Sequence, residues 1–110
     1  MRVRIHDLKT WPAPFAAMWA NEKTHEVRRN DRGFAVGDFL RLREYEPSNG
    51  GYTDRVILAR VSYVSEGGTW GLPPDLCVLS IQQHERAEKY RIGLFDAAID
   101  ALATPPTGAR

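Results

Sequence analysis

Lys23, Glu26 and Arg28 stand at the spacing Lys-x-x-Glu-x-Arg inside residues 20–32, the stretch densest in charged and imidazole side chains. If residues 24–29 are extended, Thr24, Glu26 and Arg28 share one face of the strand while His25 and Val27 take the other. Lys23 enters from the preceding turn. A carboxylate between an ammonium and a guanidinium orders both cations, and it can accept hydrogen bonds from a base edge while the cations hold phosphate. The same three residues could instead form a solvated ion-pair network at the rim of a sheet. Just beyond, Arg29 and Arg32 are available to phosphate, whereas Asn30 and Asp31 are expected to shape a turn.

A single domain must position these side chains, because 110 residues with 43% hydrophobic content bury only one modest core. Fifteen basic against fourteen acidic residues leave a formal charge of +1. That excludes a bulk pull on a polyanion, so any nucleic-acid contact must use a local patch. The single cysteine, Cys77, lies in the apolar run from Leu76 to Leu79 and reads as a buried thiol in a reducing compartment, not a disulfide or metal ligand. The chain has no His/Cys metal spacing, no Walker-type glycine loop and no Gly-x-Ser-x-Gly elbow, so no metal and no cofactor are expected. A charged N-terminus and the absence of any apolar run near the roughly 18 residues of a membrane span point to a cytoplasmic protein without membrane contact.

Alternation over Arg2 to Leu8 predicts a short strand with Val3 and Ile5 inward. Trp11-Pro12 and the stripe Phe15, Met18 and Trp19 predict a helix ending near Asn21, where asparagine can adopt the left-handed conformation that closes a helix. Val27 between Glu26 and Arg28 suits an edge strand. Further strands are expected over Phe39 to Tyr45, with Leu40, Leu42 and Tyr45 inward, over Tyr52 to Val64, and over Cys77 to Ile81. From His84, the positions Tyr90, Leu94, Phe95, Ala98, Ile99 and Leu102 predict an amphipathic helix. The expected organisation is a barrel or sheet domain over 1–83, that helix packed on it over 84–103, and a flexible tail over 104–110. The fold class is α+β, a small mixed barrel or sheet with an early helix.

Three segments carry a family resemblance: His6 to Pro12, Asn21 to Phe34, and Val36-Gly37-Asp38 followed by Leu42-Arg43-Glu44-Tyr45. In this order they resemble the DUF3850 family of the ASCH/PUA-like superfamily. The likeness includes Gly51-Tyr52-Thr53, reaches about Ile81, and leaves the C-terminal helix outside. It implies a PUA-like, ASCH-type mixed β-barrel flanked by helices and an RNA-binding role. The superfamily pattern Gly-x-Lys-x-x-Glu-x-Arg falls on Asn21, Lys23, Glu26 and Arg28, with asparagine replacing glycine. In such barrels the end of the first strand runs near this segment, which brings His6, Lys9 and Trp11 to the mouth of a shared cleft. An aromatic ring beside cations is what stacking on an unpaired base requires. Plainer readings stand beside these: Trp11 can staple the helix start into the core, and His6 can be a hydrogen-bonded structural residue. Trp70, in a loop bounded by glycine and proline, either folds back over the core or meets a ligand.

The expected partner is therefore RNA, or a nucleotide or nucleoside, and the chain a monomer or weak homodimer. Two other functions compete. The resemblance admits a small amidohydrolase acting on N4-acylated cytidine with a lysine, threonine and glutamate set. Lys23 matches that lysine, but Glu26 stands where the threonine is expected. As an enzyme the chain would rely on Lys23, Glu26 and His6, and His6 with Lys23 could also support acid–base cleavage beside a 2′-hydroxyl. A nucleophilic lysine must first lose its proton, which burial or a cationic neighbour such as Arg28 promotes and Glu26 opposes. In the third reading, a protein-interaction module, the stripe Leu94, Phe95, Ala98, Ile99 and Leu102 pairs subunits.

Overall fold

A run such as Val56-Ile57-Leu58-Ala59, apolar at every position, suits a strand buried on both faces, and that is its place. The computed structural model describes residues 3–103, so the tail expected over 104–110 lies outside the described residues. The elements are β1 (Ile5–Thr10), α1 (Pro12–Trp19), β2 (His25–Arg29), β3 (Phe39–Glu46), β4 (Gly51–Ser65), β5 (Leu76–Ala87) and α2 (Asp96–Ala103). One face of the central strands buries Leu40, Leu42, Ile57, Ala59, Val61, Cys77 and Leu79 with Phe15 and Met18 of α1. The other buries Phe39, Val56 and Leu58 with Phe95 and Ile99 at α2.

The five strands form one sheet in the order β1-β3-β4-β5-β2. β1 runs parallel to β3, and every other pair is antiparallel. Register shifts at Arg43/Tyr45, Leu58/Ala59 and Val61/Tyr63 are the bulges that bend strands and increase their twist. The sheet therefore curls into a half-barrel, α+β in class, whose edges β1 and β2 approach each other without pairing backbone to backbone. Side chains span the gap instead. The Arg4 carbonyl accepts the Phe39 N–H on the β3 side, so the carbonyls of Asp7 and Lys9 face the open edge. Arg28 Nη2 donates to the Lys9 carbonyl at 2.9 Å and Arg32 Nη1 to that of Asp7 at 3.0 Å.

Three expectations are corrected. The first strand has the opposite phase: His6, Leu8 and Thr10 are buried and Ile5 is exposed. Its parallel register sets His6 beside Leu40, Leu8 beside Leu42 and Thr10 beside Glu44, so it shares the inner face of β3 whatever its own alternation. On β3, Glu44 takes the inward place expected for Tyr45, which is half-buried. Finally, β5 does not stop near Ile81 but continues to Ala87, because the long β4 offers partners as far as Val56. A helix from His84 is thus displaced to Asp96, after Gly93 turns the chain at φ 82°. Tyr90, Leu94 and Phe95 still reach the second cluster, from a turn instead of a helix face.

Candidate functional site

The closing turn of α1 delivers the first site residue. Asn21 sits at φ 60°, and the N–H groups of Glu22 and Lys23 both donate to the Ala17 carbonyl, which folds the chain back from the helix into β2. Ile81 then donates its N–H to the Thr24 carbonyl at 3.0 Å. Antiparallel pairing sets Glu26 opposite Leu79 and Arg28 opposite Cys77. Both partners are inner-face core residues, so Glu26 and Arg28 turn inward on a strand too polar for a central place.

The three side chains converge. Arg28 Nε donates to Glu26 Oε2 at 2.7 Å, and Lys23 Nζ lies 3.4 Å from Glu26 Oε1 while also donating to the His25 carbonyl. Glu26 is 5% exposed, so its charge is nearly desolvated and both oxygens are held by cations. Above this trio opens a cleft of about 520 Å³. Lys9, Thr10 and Trp11 border it from β1 and the start of α1, with Pro14 beside them, and His25 and Val27 border it from β2. Its volume falls within the roughly 300–1,000 Å³ of small-molecule sites. Lys9, Lys23 and Arg28 against Glu26 make its lining positive.

Trp11 precedes α1 in extended conformation and is 49% exposed. It does not staple the helix into the core. Its indole faces the Tyr45 ring at 5.5 Å, and Lys9 Nζ lies 4.1 Å from the centre of that ring. Thr10, absent from the sequence candidates, is a further member: it is buried, lines the cleft, and its Oγ1 has no hydrogen-bond partner. Reading β1 as His6, Leu8, Thr10 instead of Val3, Ile5 would have found it.

Other candidates lie elsewhere. His6 is buried away from the cleft, with Nε2 2.9 Å from Asp38 Oδ2 and its ring against Phe34. Burial pushes the Asp38 carboxyl up, but His6 and the N–H groups of Ala35 and Arg4 outweigh it and hold the group below its ordinary value. The structure thus places His6 in a structural pair that fixes the loop before β3. Thr24 is exposed and outside the lining. Arg29 pairs with Asp75 at 3.0 Å, and Arg32 is used on the Asp7 carbonyl. Trp70 is 95% exposed at φ 54° and folds over nothing. Behind the cleft, Glu44 receives Arg55 Nε and Nη2 at 2.9 and 3.1 Å and the Thr53 hydroxyl at 2.7 Å. Burial raises its pKa and these donors lower it further than burial raises it. Among the described residues no cluster of His, Cys, Asp and Glu could hold a metal ion, and no helix is long and apolar enough to cross a membrane.

The family model that spans this site matches residues 5–81, from the start of β1 into β5. The chain belongs to the DUF3850 family, a domain of unknown function. It is also similar to an uncharacterized 12.9 kDa protein in the GpA 3′ region of Escherichia phage P2, 31% identical over 70 residues. That alignment covers 64% of this chain and 62% of the phage protein's length. The DUF3850 match ends within β5, so the last residues of that strand and all of α2 lie outside the matched region.

Proposed function

We propose that this DUF3850 chain is a nucleotide-recognition module, with RNA as its partner, built on a half-barrel of PUA-like type. The observation that carries the reading is the convergence of Lys23, Glu26 and Arg28 beneath a cleft whose mouth holds an exposed indole. Arg28 and Lys23 fix the Glu26 carboxylate so that it can accept from a base edge. Lys9 and Lys23 supply charge for phosphate, and Trp11 supplies a stacking face. The buried free thiol of Cys77 suits a reducing, cytoplasmic setting, and a monomer or weak homodimer suffices, because the stripe from Leu94 to Leu102 packs on its own sheet.

A ribonucleotide or short RNA is expected to raise the melting temperature. Lys23→Ala and Trp11→Ala are each expected to remove most of the shift while leaving the unliganded protein folded. No shift with a panel of nucleosides, nucleotides, RNA and DNA would end this reading. The amidohydrolase alternative draws support from one observation: Thr10 lines the cleft together with Lys23 and Glu26. Against it, Lys23 Nζ is engaged by the Glu26 carboxylate and the His25 carbonyl, contacts that hold the trio together and leave the amine tied down. Chromatography showing N4-acetylcytidine intact after prolonged incubation would dismiss it.

A further inference from the structure

We infer that the cleft is one end of a longer track for single-stranded RNA that continues across Tyr45 and Tyr52. The inference rests on the cleft reading and extends it from one nucleotide to several. From Trp11 the rings follow each other: Trp11 to Tyr45 at 5.5 Å, then Tyr45 to Tyr52 at 5.1 Å edge to face. Tyr45 and Tyr52 face each other across β3 and β4 beside the register shift that follows Arg43. Cations alternate with the rings, Lys9 lying 4.1 Å from the Tyr45 centroid and the Arg43 guanidinium 4.0 Å from that of Tyr52 and 4.2 Å from that of Tyr90.

The strip is open at its ends, where Trp11 and Tyr52 are 49% and 44% exposed, and Tyr45 is half-buried between them. Its two cations are not ion-paired. The nearby acids are engaged elsewhere: Asp7 with Arg41, Glu44 with Arg55, and Glu46 with the Ser48 hydroxyl. Among the described residues no carboxylate lies within ion-pair distance of Lys9 or Arg43. Two cations without acidic partners, interleaved with exposed and half-buried rings and continuous with a positive cleft, match what successive bases and phosphates of an unpaired strand require. RNA, not DNA, is the strand proposed, as in the cleft reading.

Fluorescence anisotropy competition with nucleoside 5′-monophosphates, five-nucleotide RNAs and DNAs of the same sequence tests this. The five-nucleotide RNA is expected to bind about tenfold or more tighter than the best monophosphate. Tyr52→Ala and Arg43→Gln should each remove most of that gain. The readout is the ratio of oligomer to monomer affinity, which a general loss of folded protein leaves unchanged. Monophosphate binding with no gain for the oligomer, or a gain that survives both substitutions, overturns the track and leaves the cleft reading standing. Absence of binding by either ligand overturns both, and DNA binding as tightly as RNA overturns the choice of RNA.

Discussion

Both oxygens of Glu26 are already occupied by cations, so its role depends on charge more than shape. Glu26→Gln should keep the packing but release Lys23 and Arg28, costing about 1–2 kcal/mol of stability by chemical denaturation and more in ligand affinity. At Asp38 the sign of the pH effect follows from a folded-state pKa below the ordinary 3.8. A depressed carboxyl contributes stability that is complete above its unfolded pKa and is lost as pH falls through the lower folded value. Glu44 acts in the same direction from 4.5. The melting temperature should therefore drop as pH descends below about 4.5, and Asp38→Asn should flatten part of that drop, measured by circular dichroism. Residue-scale chemistry was legible where alternation alone decides it: Glu26 and Arg28 share a face in any extended strand. The inward phase of Thr10 and His6 was not, because a parallel neighbour far along the chain sets the phase of β1.

The turn that closes α1 sets where Lys23 enters β2, and its left-handed residue is the controlling position. Asn21→Gly should be tolerated within about 0.5 kcal/mol, whereas Asn21→Val, forced to φ 60°, should cost roughly 1–2 kcal/mol and weaken ligand binding with it. The early helix and the asparagine stop could be read from the sequence, since proline, the apolar stripe and asparagine are local signals. The C-terminal part could not. Gln82 to Ala87 carry no strand alternation of their own and are held extended by the length of β4. Apolar residues at helical spacing likewise arise when a turn and a short helix dock on the same cluster, as Tyr90, Leu94, Phe95 and Ile99 do.

Across the whole molecule, the family match stops at Ile81 but the fold does not. A chain cut after Ile81 loses the strand partners of Val56 to Ala59 and bares Phe39, Val56 and Leu58. It is expected to aggregate on refolding, in contrast to the full chain, by size-exclusion chromatography. The uncovered segment thus completes the hydrophobic interior. The half-barrel itself resembles a split ring fastened by two guanidinium latches, Arg28 on Lys9 and Arg32 on Asp7. Because the cleft straddles that split, a ligand that touches β1 and β2 together acts as a rivet. Its binding should slow amide hydrogen exchange at Asp7 and Lys9 more than in the sheet's centre, and widening the split should loosen the grip on anything held within it.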